Sequence, residues 1–325
     1  MRRNIFGWWA ARVGLLIGPA GCAGNQSMFS PAGVDALATL NLFWVMLAGA
    51  VVIWFALNGL FLYVTRIHVG KMSRRLAEAV IIGGGILFPL VVLSALLIYS
   101  LPMMGEQRAP DDGLRVRVTA ERWWWRVEYW PDGATAPIIA ANELRLPVDQ
   151  RTEIELTAGE VIHSFWIPAL GGKTDMFPGR ITRMTLAPSE TGTFRGQCAE
   201  FCGLSHALMA IPAVIMEPAA FDGWLREQAL PATSSGAGRA VFLREGCGAC
   251  HAVRGTPAAG RVGPDLTHLG GRTALAAGIL PMTADALRAW ITNPEAIKPG
   301  AEMPAYDHLD ESDLAALAAY LMGLK

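Results

Sequence analysis

Two long apolar runs limit what this chain can fold into before any other feature is weighed. Ala36 to Tyr63 spans 28 residues with Thr39, Asn41 and Asn58 as its polar breaks, and Ala79 to Leu101 spans a further 23. At ~1.5 Å per residue, each is long enough to cross a ~30 Å hydrocarbon core as a helix. Lipid offers no partner for a free N–H or C=O, so such a run must satisfy its own backbone hydrogen bonds. The alternative, a pair of core helices in a soluble protein, fits these lengths poorly. Composition agrees: 52% of the chain is hydrophobic and 17% charged. The Gly83-Gly84-Gly85 run and Pro89 are tolerable in a membrane helix, where neighbouring groups satisfy the freed backbone. Between the runs stand Arg66, Lys71, Arg74 and Arg75, opposed by Glu78 alone. Excess positive charge in a short loop marks its cytoplasmic side. The sequence therefore predicts a transmembrane hairpin over 30–105, with helices at about 36–63 and 79–101 and all later residues outside.

Ahead of the hairpin, Arg2 and Arg3 precede a short apolar run, Val13 to Ile17, and then Pro-Ala-Gly-Cys22. This pattern predicts an export signal over 1–22. Ala20-Gly21-Cys22 is compatible with lipid attachment at Cys22 or with an ordinary stretch of small residues.

Beyond the hairpin the period changes to two. Leu114 to Thr119, Glu143 to Val148 and Thr152 to Thr157 alternate apolar and polar residues, separated by turn signals such as Pro131-Asp-Gly133 and Ala158-Gly159. Residues 106–228 are predicted to form an all-β sandwich. Residues 229–238 are small, polar and linker-like, and 239–325 read as helical. Asp310, followed by an amphipathic run to Leu321, is a candidate helix cap. Lys and Arg number 27 against 28 Asp and Glu, so the charge balance points to no nucleic-acid partner.

The densest chemistry lies in Gln197-Cys-Ala-Glu-Phe-Cys-Gly-Leu-Ser-His-Ala-Leu-Met209. Cys198, Cys202, His206 and Met209 bring two thiolates, an imidazole and a thioether, the soft donors that copper selects. A second cysteine suggests two bridging sulfurs and so two copper ions, with His163 the best candidate for a second imidazole. A C-x3-C pair alone would also suit a disulfide or a copper-delivery protein. With all five residues together, the chain resembles subunit II of the haem-copper cytochrome c oxidases, whose dinuclear copper A centre uses this loop. The resemblance implies a cupredoxin domain of Greek-key sandwich type. It also implies that Glu200 ligates copper through its backbone carbonyl and a magnesium ion through its side chain.

A second motif, Cys247-Gly-Ala-Cys250-His251, is the attachment signature of a c-type haem. The stretch Val262-Gly-Pro-Asp-Leu-Thr-His-Leu-Gly270 resembles the cytochrome c segment whose proline, here Pro264, backs the proximal histidine. Lys298-Pro-Gly-Ala-Glu-Met-Pro304 resembles the loop presenting the distal methionine, here Met303, with Met282 the main rival. Residues 239–325 then form an all-α class I cytochrome c domain. His251 and Met303 ligation would close the iron to oxygen and suit electron transfer.

Further residues follow from the resemblance. In Glu121-Arg-Trp-Trp-Trp-Arg-Val-Glu-Tyr129, Trp123 matches the residue through which electrons arrive, although aromatics of this kind also simply pack a strand face. Lys173 to Arg180 matches a segment at the interface with subunit I, with Asp175 and Arg180 near haem propionates or the magnesium water network. Glu78 matches a position linked to proton uptake. Phe165, Trp166 and Phe201 are expected to keep water from the copper ligands. His68, His268 and His308 are expected to be surface residues.

Taken together, the resemblance implies a caa-type arrangement. A cytochrome c or bc complex would pass electrons to haem c, then to copper A, then to haem a in subunit I. There oxygen is reduced to water with proton translocation, and subunit III and membrane lipid are the remaining neighbours. The implied location is the cytoplasmic membrane, with the N-terminus and both cofactor domains outside. A nitric-oxide reductase built on the same copper centre would share this architecture, and the partner subunit decides between them.

Overall fold

The computed structural model describes residues 22–67, 70, 72–106 and 113–325. The export-signal reading of residues 1–21 and the placements of His68 and Lys71 lie outside the described residues. The chain divides into two compact units, 37–109 and the remainder.

The smaller unit is helical. Helix α1 (Val34–Leu62) continues through a π turn at Tyr63–Ile67. Helix α2 (Arg74–Ile82) passes through a second π turn, Gly83–Leu87, into α3 (Phe88–Glu106). The glycine run thus widens the helix by one π turn without breaking it. Pro89 follows the π turn inside this continuous helix, where its missing N–H leaves one backbone carbonyl to be satisfied by its surroundings, a defect tolerated in membrane helices. The few polar side chains are satisfied locally: Asn58 donates to the carbonyl of Trp54 at 2.7 Å and Thr65 to that of Phe61 at 2.6 Å. Large apolar side chains such as Val52, Phe55, Val91 and Ile98 are exposed along both helices, as a lipid-facing surface requires. Ser73 caps α2 by accepting from the amide of Leu76 at 3.3 Å, and Arg74 pairs with Glu78 one turn on, at 2.7 Å.

In the larger unit, ten strands form two five-stranded sheets. They are β1 (Arg115–Glu121), β2 (Trp124–Trp130), β3 (Ile138–Ala141), β4 (Leu144–Pro147), β5 (Thr152–Ala158), β6 (His163–Trp166), β7 (Thr174–Met176), β8 (Thr182–Leu186), β9 (Gly192–Cys198) and β10 (Ala210–Met216). The first sheet has the order β3-β2-β1-β5-β8 and the second β4-β10-β9-β6-β7, with β1·β5 and β4·β10 parallel. Alternation in β1 and β2 turns Val116, Val118, Trp125, Val127 and Tyr129 inward, where they meet Leu146, Phe165 and Ile215 of the other sheet. Residues 218–228, read as part of the all-β block, instead form helix α4 (Pro218–Ala229), which also takes in the first linker residue. Its Pro218 starts the helix, and Phe221 and Trp224 pack against Tyr129.

A strap ahead of α1 joins this sandwich. Asn25 accepts from the amide of Arg195, Ala32 donates to Ala169 at 2.7 Å and accepts from Ser189, and Val34 donates to Ala187. Asp35, 5% exposed, pairs with Arg151.

The C-terminal region holds α5 (Ala237–Arg244), α6 (Ala284–Thr292), α7 (Pro294–Ile297) and α8 (Glu311–Met322), together with one two-stranded ladder, Ala274–Leu275 with Leu280–Pro281. The ladder is a small departure from an all-α expectation. Helices α5 and α8 cross closely because Gly238 has no side chain; a Cβ there would meet the carbonyl of Ala316 at 2.0 Å. Asp310 caps α8 by accepting from the amide of Asp313 at 2.8 Å. The linker-like stretch is anchored: Ala232 donates to Arg254, and Ser234 to the carbonyl of Tyr320.

Candidate metal centre and haem pocket

Register brings the first donors together. In the β6·β9 ladder Phe165 stands opposite Cys198, and His163 lies two residues away on β6. The loop after β9 closes on itself, because the amide of Cys198 donates to the carbonyl of Met209 at 2.9 Å. Cys198 Sγ lies 3.6 Å from His163 Nδ1, 3.7 Å from Cys202 Sγ and 3.1 Å from the Glu200 carbonyl. Cys202 Sγ lies 3.6 Å from His206 Nδ1. Both cysteines are free thiols, and the ligand atoms of His163, Cys198 and Cys202 fall within 4.8 Å of one another. Met209 is 1% exposed and packs in the same core cluster.

The electrostatics of this group are those of a shared proton. The hydrogen bond from Cys202 is the main influence that pulls the Cys198 thiol well below its ordinary value. Burial opposes that pull, and His163 assists it. The same bond, with burial, pushes Cys202 upward. One thiolate is thus nearly preformed, and a soft cation would displace the remaining proton. His163 Nε2 and Ser164 Oγ are buried with no hydrogen-bond partner among the described residues. The donor set, two sulfurs flanked by two imidazole Nδ1 atoms and a carbonyl, fits a copper pair.

The haem motif forms part of the wall of a cavity of about 210 Å³, lined by Cys247, Cys250, His251, Pro264, Trp290 and Met303 among others. His251 Nδ1 lies 2.8 Å from the carbonyl of Pro264, so Nδ1–H donates there and Nε2 is left as the ligand atom. Burial depresses the His251 pKa, favouring the neutral ring a metal needs. Met282 packs against the domain core but does not line the cavity. These residues fit a covalent haem.

Trp123 lies between the two donor sets. Its Nε1 donates to the carbonyl of Cys202 at 3.0 Å, and its ring lines the haem cavity. It is 7% exposed. Contacts missed by sequence reasoning surround it. Lys298 Nζ donates to the carbonyl of Trp123 at 2.7 Å and to that of Ala276 at 2.9 Å. Ser205 of the copper loop donates to the carbonyl of Pro299 at 2.7 Å, and Arg122 pairs with Glu302 at 3.3 Å. Lys298 and Ser205 lie inside the two quoted loops, but neither motif reveals these contacts, because their partners are backbone carbonyls distant in sequence.

Other expected residues are scattered. Glu200, Asp175 and Arg180 are exposed, as is Cys22, and Glu78 is exposed beside Arg74. Phe165 is fully buried, but Phe201 is 76% exposed and rests on His206 at 5.7 Å, so it does not seal the rim within this chain. His268 is a core residue at 7% exposure, with Nε2 3.1 Å from the carbonyl of Leu230. It was misread as surface because its partner is main chain. His308 is exposed and pairs with Glu245.

Comparison with known proteins agrees with this geometry. The family described as cytochrome c oxidase subunit II, periplasmic domain, matches residues 126–217, and cytochrome c matches 235–325. Cytochrome c oxidase subunit 2 of Alkalihalophilus pseudofirmus is 40% identical over 220 residues, covering 66% of this chain and 62% of that protein. The Bacillus subtilis counterpart is 36% identical over 255 residues, covering 74% of this chain and 70% of that protein. This chain therefore spans just under two thirds of the first relative and slightly more of the second. A solved structure, the periplasmic domain of subunit II of cytochrome oxidase (CoxB) of Bradyrhizobium japonicum, is 31% identical. That alignment covers 37% of this chain and 95% of that one, with a TM-score of 0.34.

Two apolar helices, a cupredoxin-like sandwich with a sulfur-rich rim and a haem-attachment domain define a membrane electron-transfer protein. More narrowly, the chain belongs to the cytochrome c oxidase subunit 2 family, in the form that carries a cytochrome c domain on the same polypeptide.

Proposed function

We propose that this chain is the electron-accepting subunit of a respiratory haem-copper oxidase. It takes single electrons from a donor outside the membrane and hands them to subunit I, where oxygen is reduced to water and protons are translocated. Covalent haem c and a dinuclear copper A centre supply the one-electron carriers of that relay. The observation that carries the reading is the placement of Trp123, whose ring lines the haem cavity while its Nε1 is bonded to a copper-loop carbonyl.

The residues divide the work as follows. His163, Cys198, Cys202, His206, Met209 and the Glu200 carbonyl would hold the copper pair, which would supply a one-electron carrier. Fully buried Phe165 lowers the local dielectric on the inner side. Cys247 and Cys250 would form the thioethers and His251 and Met303 would hold the iron, while the Pro264 carbonyl fixes the His251 tautomer. Trp123 is the contact through which electrons reach the copper loop.

The exposed Glu200 carboxylate is available to a magnesium ion completed by subunit I, and Asp175 and Arg180 belong to that interface. Subunit III, membrane lipid and an external cytochrome c or bc complex are the other partners. The chain sits in the cytoplasmic membrane as a two-span protein, N-terminus and both cofactor domains on the periplasmic side. The proposed domain limits are 1–22, 30–105, 106–228, 229–238 and 239–325, adjusted in that the strap up to Asp35 packs on the sandwich, α4 runs to Ala229 and the last domain's first helix starts at Ala237.

The test is purification with the partner subunits, followed by metal analysis and optical and electron-spin spectra. Two coppers and one covalent haem per chain are expected. A single cupric ion, or Cys198 and Cys202 joined as cystine at native occupancy, refutes the reading. Met303→Leu should abolish the charge-transfer band of methionine-ligated ferric haem, whereas Met282→Leu should keep it. Met209→Ala should shift the copper potential while the fold survives.

A further inference from the structure

A lysine buried without a carboxylate is a liability for folding. Lys298 is 4% exposed, and among the described residues no acidic side chain pairs with it. Its ammonium is instead held by two carbonyls, one from each side of the contact between the sandwich and the haem region: Trp123 and Ala276. Burial pulls its pKa down to about 7, against an upward pull from Cys202. Retaining a charge in such a place needs a reason beyond stability.

The neighbours supply one. Lys298 begins the loop that ends at Met303, and that loop is fastened to the sandwich at four points. They are Lys298 on the Trp123 carbonyl, the Pro299 carbonyl on Ser205, Gly300 against the Trp123 ring, and Glu302 on Arg122. Gly300 has φ +82°, and a Cβ there would meet Trp123 Cη2 at 2.7 Å. Ser205 lies between Cys202 and His206, so one loop of each cofactor site grips the other.

The two regions do not depend on this grip for their association. On the other side of the contact, Glu143 accepts from the amide and hydroxyl of Thr273, Arg145 donates to the carbonyl of Gly271, and Arg254 donates to that of Ile139. Lys298 therefore fixes the methionine loop and Trp123 locally within a contact that other residues already hold.

We infer that Lys298 is a positioning residue, a latch that holds the methionine loop against Trp123 so that transfer between the two cofactor sites occurs across a fixed contact rather than by repeated docking of a tethered domain. The inference rests on the proposed relay. One electron leaves the haem site and enters the copper site, and no bond is made or broken.

The experiment uses the complete oxidase, with Lys298→Met and, independently, Ser205→Ala. Haem is photoreduced by an external sensitiser, and its reoxidation by the copper site is timed. For Lys298→Met the transfer rate and kcat should fall roughly tenfold, the scale of losing a hydrogen bond from a charged donor. The haem spectrum, the copper electron-spin signal and KM for the donor should stay as in the unchanged protein. Ser205→Ala should show a smaller fall of the same kind, and it carries the test alone if Lys298→Met does not fold. In the unchanged protein the rate should be independent of solvent viscosity. Unaltered rates in the variants, or a rate that falls in proportion to viscosity, overturn the latch. Absence of the haem or paired-copper signature from the unchanged protein refutes the relay itself, so the two failures are distinct.

Discussion

At the copper rim, four sulfur and imidazole donors come from the twelve residues between Cys198 and Met209, and His163 alone is imported, by strand register. The haem cavity is gathered from stretches around Cys247, Pro264, Leu275, Trp290 and Met303, with Trp123 contributed by the sandwich. A centre made from one loop is fixed by the ladder that ends the loop. A pocket made from many stretches is fixed by the packing of a whole domain. The first should therefore fail by the loss of single ligands, and the second by the loosening of its helices.

The sharpest way to break that comparison is Cys202→Ser. It should abolish the paired-copper signal outright while covalent haem stays at full occupancy, as read by electron-spin and pyridine-haem spectra. Loss of both cofactors together would show the sites to be one unit.

The next largest effect concerns the frame beneath the copper rim. Glu155 on β5 is 2% exposed and accepts from Arg117 and Arg183. Burial alone would raise its pKa, but the hydrogen bonds and charges of these arginines, with Arg115 nearby, outweigh it and hold the carboxyl below its ordinary value. A carboxyl lowered in the folded state stabilises fully above its unfolded pKa, and that stability is lost as pH falls through the folded value. Glu155→Gln should therefore destabilise the sandwich by about 2–3 kcal/mol at neutral pH, the scale of losing charged hydrogen bonds, because Arg117 and Arg183 are themselves 30% and 56% exposed and water takes up their charge. Its stability should also fall less steeply in acid. Calorimetry against pH, with haem absorbance followed separately, checks both parts.

The same contrast explains what the sequence made legible. The two spans, the strand alternation of β1 and β5, the Cys198–Met209 cluster and the Cys247–His251 motif are short-range patterns, and each could be read directly. His163 could be named as a candidate second imidazole, but its place beside Cys198 was not legible, because strand pairing brings the two together. The strap at Asn25 to Val34, the latch at Lys298 and the burial of His268 were invisible, since each works through main-chain carbonyls far away in sequence. Helix α4 was missed because a strand pattern was carried past Met216, although Pro218 is a helix-start signal.

Gly300→Ala probes the one place where the two plans touch. At φ +82° and against the Trp123 ring, the added methyl should cost about 2 kcal/mol and displace the methionine loop. The haem potential should move and the copper signal should not. A copper shift of equal size would mean that strain passes through Trp123 into the Cys202 loop.

The smallest effect tests the haem side on its own terms. Thr283 caps α6, its hydroxyl accepting from the amide of Ala286 at 3.2 Å. That helix places Leu287, Trp290 and Ile291 in the cavity wall. Thr283→Ala leaves an N-terminal amide without its partner and should cost about 1 kcal/mol, with no cofactor ligand touched. In a domain of this size that corresponds to roughly 4–8 °C in Tm. If the haem pocket depends on helix packing, its thermal loss of the Met303 spectral signature should move by that amount while the copper signal melts unchanged. If the signature holds its midpoint as the domain Tm falls, the thioethers at Cys247 and Cys250 fix the haem without α6, and the pocket follows the copper loop's plan.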